Sequence, residues 1–300
     1  MNQQIDLQKF GINNSSYQLF IKRDDLLGHG ISGNKLRKLK YNILEAQQLK
    51  HQTLLTFGGA YSNHILAASF IKKKHNLNII GVIRGEELID KIDSNPTLKA
   101  AQENGMQFYF ISREAYRNKT DVSFINILKE TFGNFYLIPE GGTNPLAIKG
   151  CEEILTDTDF NFNYITCAVG TGGTISGIIN SSKKNQQIIG FSALKGDFLT
   201  ADVANMTSKQ NWTINTDYHF GGYAKINEEL IHFMNEFKNK TNIQLDSIYN
   251  GKMLFGLIDL LKKGHFKKNT SILAIHTGGL QSIEGMNQLL KKKKLPLIHY

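Results

Sequence analysis

Residues 166–179, TCAVGTGGTISGII, change character midway. Up to Val169 the run is apolar and partly β-branched; Gly170, Gly172 and Gly173 interrupt it, and Thr174 opens a helical pattern. A buried strand that turns on glycines into a helix is one βα unit, the building block of α/β folds. Glycines at such a turn let the backbone adopt positive φ and approach an anion closely. The N–H groups of the turn and helix start can then bind phosphate, with Thr171 and Thr174 as added hydroxyl donors. A tight turn for close helix–strand packing accounts for the same glycines. Two better-known phosphate motifs fail here. A dinucleotide fingerprint needs glycine where Ile175 stands, and a Walker A loop needs lysine where Ile178 follows Gly177.

The same alternation runs along the 300 residues. It predicts strands at 53–57, 78–84, 106–112, 134–140, 164–170, 187–194 and 271–277. Helix-like segments lie between several of them: NHILAASFIKKK, NPTLKAAQENG, SFINILKETFG, TISGIINSSKK and GKMLFGLIDLLKKG. Strands spaced by helices imply parallel sheet. With no internal repeat and no low-complexity linker, a domain boundary has to come from topology.

At 41% hydrophobic residues the chain can bury a sizeable core. Cys151 and Cys167 are too few for a disulfide framework and lack CxxC spacing, so no metal site is expected. MNQQIDLQKF has no signal pattern and no apolar run reaches membrane-spanning length. A reduced, soluble, cytoplasmic protein without a membrane partner is the expectation. The net charge is +9, concentrated at Lys72–Lys74, Lys262–Lys263 and Lys291–Lys294. Lysines at helix C-termini suit the helix dipole. No RNP aromatics, zinc finger or helix-turn-helix accompany them, so no nucleic-acid partner is expected.

Two further stretches carry chemistry. In FGGAYSNHILAAS (57–69) a strand again ends in glycines, and Ser62-Asn63 fall where a helix begins. A plain N-cap explains either residue; the alternative is a ligand-facing hydroxyl at a strand's carboxyl end. In HGISGNKLRKLKY (29–41), Leu36, Leu39, Ile43 and Ala46 recur at helical spacing after the turn HGISGN. Lys35 and Lys38 then crowd two ammonium groups at the positive end of that helix, which is unfavourable without an anion. Such local conflicts mark functional sites. Arg37 and Lys40 read as a solvated pair.

Together these stretches resemble a known family. SGNKLRKLKY (32–41) is similar to the lysine motif of the pyridoxal-phosphate (PLP) enzymes grouped as 1-aminocyclopropane-1-carboxylate (ACC) deaminase and D-cysteine desulfhydrase. GGAYSNH (58–64) resembles that family's serine–asparagine loop, and VGTGGTISG (169–177) its phosphate loop. IPEGGTNPLAIKG (138–150), GGYAK (221–225), YNGKMLFGLIDL (249–260) and HTGG (276–279) follow the family's pattern too. The resemblance implies a two-domain α/β fold of the tryptophan-synthase-β type, with mainly parallel open sheets flanked by helices. Residues 1–42 plus 149–300 would form the larger, PLP-binding domain and 43–148 a small inserted α/β domain. A homodimer is implied as well.

By the same resemblance, Lys35 would carry PLP as an imine. Lys38 and the loop Gly170, Thr171, Gly172, Gly173 and Thr174 would hold its phosphate. Asn63 would meet its ring hydroxyl oxygen, Asn250 would stand at its ring nitrogen, and Thr277 would also belong to the cofactor site. Ser62, Tyr223 and Tyr249 would face a small amino-acid substrate, Ser62 as nucleophile or proton relay. A lysine that forms and exchanges an imine must be partly neutral; desolvation and Lys38 both push it that way.

Two positions bear on the reaction. ACC deaminases carry glutamate where this chain has Asn250, and leucine where it has Thr277; desulfhydrase-like members carry threonine there. A carboxylate at the ring nitrogen favours its protonation, and an amide does so much less. Both departures favour β-elimination from a D-cysteine-like D-amino acid, to an oxo acid and ammonia. ACC deaminase, giving 2-oxobutanoate and ammonia, is the alternative. From another class, a non-catalytic ligand-binding protein of the same fold would keep the cofactor without turnover.

Overall fold

A computed structural model describes residues 1–28 and 33–300; most of the turn expected at 29–34 falls outside them. In chain order the strands are β1 (Asn2–Ile5), β2 (Tyr17–Lys22), β3 (Thr53–Gly59), β4 (Asn78–Arg84), β5 (Gln107–Ile111), β6 (Tyr136–Ile138), β7 (Tyr164–Val169), β8 (Gln187–Ser192), β9 (Trp212–Asn215) and β10 (Thr270–Ile275). The helices are α1 (Asn34–Gln48), α2 (Asn63–His75), α3 (Pro96–Glu103), α4 (Val122–Phe132), α5 (Pro145–Glu152), α6 (Gly173–Ser181), α7 (Phe198–Ala204), α8 (Glu228–Thr241), α9 (Asn250–Lys262) and α10 (Ser282–Lys292). Every strand the apolar runs predict is present. β1, β2 and β9 are additional, as are α5, α7, α8 and α10.

The strands form two sheets, a six-stranded one in the order β1-β2-β10-β7-β8-β9 and a four-stranded one in the order β5-β4-β3-β6. All pairs are parallel except β1 with β2. Both faces of each sheet are covered, which is why the central strands are apolar throughout rather than alternating. Strand geometry sends successive side chains to opposite faces. On β10, Ile272 and Ala274 join the core under α8, α9 and α10, while Leu273 and Ile275 join the core under α5, α6 and α7. On β4, Ile79 and Ile83 meet α1, α2 and α3, whereas Ile80 and Val82 face α4.

The expected boundary at 42/43 falls inside α1, whose Leu39, Ile43 and Ala46 pack into the core of the four-stranded sheet. Helix α1 nevertheless begins against the other sheet. Gly33 (φ +68°) precedes it, and a Cβ there would lie 2.0 Å from Thr277 O, just beyond β10. Only glycine fits that approach. The Asn34 N–H then donates to the same carbonyl at 3.3 Å. The first turn of α1 therefore sits where the carboxyl ends of both sheets converge. No helix among the described residues is long and apolar enough to cross a membrane.

Candidate active site

Every expected site residue except Gly173 and Asn250 lines one cavity between the two sheets. Lys35, in the first turn of α1, is half-buried there. Its amine is pushed down from the usual lysine value to about 7, by loss of hydration first and the Lys38 charge second. The other basic residues of the segment have structural partners. Arg37 donates from Nε and Nη2 to Asp24 at 2.7 and 3.2 Å and from Nη1 to Glu153 O at 2.8 Å. It is not the solvated residue the sequence suggested, because Asp24 is buried and needs a counter-charge. Lys40 is exposed and pairs with Glu153 at 2.7 Å.

Lys38 is 1% exposed. Its ammonium donates to Gly141 O at 3.1 Å, Thr143 Oγ1 at 2.9 Å and Thr171 Oγ1 at 3.4 Å. The two threonine hydroxyls are 2.5 Å apart. The Lys38 charge thus stands behind two hydroxyls at the mouth of the 170–174 turn. Gly172, at φ +80°, opens α6 and turns the chain so that helix N–H groups face the same space. Gly173 is buried beneath: a Cβ there would lie 2.9 Å from the Thr143 methyl and 3.2 Å from Lys38 Nζ. Asn34 Nδ2 donates to Thr174 Oγ1 at 2.8 Å, tying α1 to the turn.

Ser62 caps α2, its Oγ accepting from His64 N at 3.2 Å and Ile65 N at 3.3 Å. The N-cap interpretation and the ligand-facing one both hold, since the capping residue also borders the cavity. With N–H donors on its oxygen, the hydroxyl proton is free to point inward. Asn63 follows, and its buried Oδ1 has no hydrogen-bond partner among the described residues. His64 closes the floor through a 2.7 Å bond to Thr56 Oγ1, which itself donates to Ile138 O.

Tyr223 and Tyr249 meet edge to face, ring centroids 6.3 Å apart. Burial pushes both phenols up, that of Tyr249 well above its ordinary value, so they keep their protons near neutrality. The Tyr223 loop is held from below by a lysine that sequence reasoning missed. Lys252 on α9 is buried and donates to His219 O at 2.9 Å and Gly222 O at 2.7 Å. Burial lowers its pKa to about 8.

Asn250 is fully enclosed and does not reach the cavity. Both Nδ2 hydrogens are used, on Asp246 Oδ1 at 2.6 Å and Gly278 O at 2.8 Å. Its Oδ1 accepts from Thr277 N at 3.0 Å and Thr277 Oγ1 at 3.3 Å. Thr277 is the residue that lines the wall, with Asn250 bracing it. The Asn250 side chain is consumed by the backbone of the 277–278 turn and the Asp246 cap of α9, a network that spacing in the sequence does not reveal.

These residues fit PLP, the group the sequence implies. An anion cradle of hydroxyls, helix N–H groups and a buried ammonium lies at one end. A half-neutral lysine and an unsatisfied Asn63 amide border the same space. A buried polar atom without a partner is rare in a native fold and marks a place where a ligand completes the bonding. Thr143, in the EGGT turn after β6, joins the cradle through its bonds to Lys38 and Thr171; its glycine-rich turn was the available signal. Among the described residues no group of three or more His, Cys, Asp or Glu could hold a metal ion.

Comparison with known proteins agrees with this arrangement. The family described as "Pyridoxal-phosphate dependent enzyme" matches residues 5–278. A Pyrococcus horikoshii protein with the provisional name 1-aminocyclopropane-1-carboxylate deaminase is 31% identical over 285 residues, 87% of this chain and 84% of that one. The bifunctional D-cysteine desulfhydrase/1-aminocyclopropane-1-carboxylate deaminase of Arabidopsis thaliana, a mitochondrial protein, is 31% identical over 292 residues, 88% of this chain and 72% of its own. The crystal structure of an ACC deaminase homologue superimposes with a TM-score of 0.81 at 27% identity, covering 97% of this chain and 93% of the other.

Proposed function

The chain belongs to the pyridoxal-phosphate-dependent enzyme family, and on that premise we propose that it is a lyase. Its reaction is β-elimination from a small D-amino acid of the D-cysteine kind, giving sulfide, an oxo acid and ammonia. The observation that carries the choice is the Thr277 wall, where a hydroxyl braced by Asn250 stands at the position expected to be leucine in ACC deaminases and no carboxylate lines the cavity among the described residues.

Lys38, Thr143, Thr171 and the N–H groups of α6, already drawn together, would hold the phosphate. Lys35 would hold the aldehyde carbon and the Asn63 amide the ring hydroxyl oxygen, with Thr277 lining the wall beside the ring. When bound, PLP supplies a carbonyl for imine exchange and an electron sink beside the substrate's Cα. Lys35, partly neutral near pH 7, takes the Cα proton. Ser62 Oγ, with N–H donors already on its oxygen, turns its proton toward the substrate carboxylate. Tyr223 and Tyr249 keep their protons and donate to the substrate or to the departing thiolate. Ring opening by Ser62 attack would need a base to take the serine proton; the phenols keep theirs near neutrality, so that base too would have to be Lys35. The division into 1–42 plus 149–300 and 43–148, and a homodimeric assembly, are part of the same proposal.

Purified, PLP-loaded protein should release sulfide and pyruvate from D-cysteine faster than 2-oxobutanoate from ACC. Release of 2-oxobutanoate alone would reverse the assignment. Bound cofactor without turnover of either substrate would instead favour a ligand-binding role.

A further inference from the structure

A second cavity, of about 550 Å³, opens from the Lys35 pocket. The two share Ser62, Gly141, Gly170, Thr171, Tyr223 and Tyr249. D-Cysteine carries one sulfur atom beyond Cβ, and ACC carries a closed ring; neither extends into this space. Met286 and Leu289 of α10 form an apolar wall, and Arg84 stands at the charged end.

Arg84 is the last residue of β4 and pairs in register with Gly59 of β3. The Gly59 carbonyl accepts from Ser62 N at 3.0 Å, so the arginine sits directly beside the loop that presents Ser62. Its Nη2 lies 3.6 Å from where a Cβ on Gly59 would be. The guanidinium carbon is 5.6 Å from the centre of the Tyr116 ring, within cation–π reach. Glu140 lines the same cavity, but its carboxylate is engaged by the Tyr116 hydroxyl at 2.8 Å and Lys119 Nζ at 3.3 Å. Arg113 pairs with Glu87 at 2.6 Å. Arg84 has no carboxylate within salt-bridge distance among the described residues. Arg117 borders the depression on its far side and Lys292 the cavity itself, so the surrounding field is positive.

Resting on the lyase reading above, we infer that Arg84 forms a subsite for a carboxylate at the end of the substrate's side chain. The favoured substrates are then D-amino acids whose Cβ leaving group itself carries a second acid group, the apolar wall covering the intervening atoms. A planar guanidinium receives a carboxylate through two parallel N–H donors, which an amide of the same shape cannot match.

The test is a titration of the holoenzyme with D-aspartate against D-asparagine and D-glutamate against D-glutamine, read as half-saturation of the cofactor's absorbance change. In the wild type, at least one acid should bind on the order of tenfold tighter than its amide. Arg84→Gln should bring the ratio near one, and Arg84→Lys should restore part of it. An acid no tighter than its amide, a ratio that survives Arg84→Gln, or no saturable change with any of the four would overturn the subsite. If Arg84→Gln fails to hold the cofactor, the wild-type ratio and Arg84→Lys decide. D-Cysteine and ACC turnover, read on the same preparation, separates failure of the lyase reading from failure of the subsite.

Discussion

Lys35 and Lys38 stand one helical turn apart, yet they are held quite differently. Lys38 is enclosed by three oxygen acceptors, whereas Lys35 faces the cavity with its pKa lowered to about 7. If Lys35 is the base, kcat for D-cysteine should rise with pH as the lysine amine, released once substrate has taken its place, loses its proton. A flat profile from pH 6 to 8 would contradict that role. The same shift makes a statement about the apoprotein. Between pH 7 and the ordinary lysine value of 10.5, the unfolded chain binds a proton that the folded chain does not, so stability rises with pH across that window. Below pH 7 the penalty is complete. Apo Lys35→Met should therefore be more stable than the wild type, by most at low pH, in denaturant titrations. Crowding of like charges made Lys35 visible in the sequence. The bracing role of Asn250 was hidden, because it depends on Asp246 and Gly278 meeting it in space. Asn250→Glu would set a carboxylate against buried Asp246, and it should lower Tm rather than install ACC turnover. A stable variant with gained ring-opening activity would contradict the network.

At the level of elements, α9 links the cavity to the loop that carries Tyr223. Lys252→Met should remove one of the two donors on each of the His219 and Gly222 carbonyls, leaving them only Gly222 N and Lys225 N, at a cost of about 1–3 kcal/mol. Tyr223 would lose its seat, so kcat for D-cysteine should fall further than cofactor affinity does. Equal losses in both would point to a general loss of folding. The seven strands legible in the sequence are short apolar runs rich in β-branched and aromatic residues, and that length and composition, rather than periodicity, separate them from buried helix segments. β1 and β9 escaped notice because each has four residues at the edge of the six-stranded sheet. Helix α8 was missed where charged and polar residues dilute its buried stripe of Leu230, Ile231, Met234 and Phe237. Local spacing found the phosphate turn and the α2 start, since in each the functional residues are contiguous.

Across the whole molecule, the cleft is made by two parallel sheets whose carboxyl ends face a shared space, the usual place for ligands in open α/β sheets. The motifs appear in sequence order, but their convergence is a tertiary fact. Lys35 leads the helix that packs on the four-stranded sheet, while the phosphate turn follows β7 of the six-stranded one. The basic surplus lies partly on exposed helix ends such as Lys72–Lys74 at the end of α2. The most direct measurement of the central claim is borohydride reduction of the PLP-loaded protein, which fixes the cofactor to its lysine, followed by peptide mapping. The label is expected on Lys35 alone, and Lys35→Ala should lose both the label and the absorbance band of the lysine-bound cofactor. A label on Lys38 or Lys252, or a band that persists in Lys35→Ala, would contradict it.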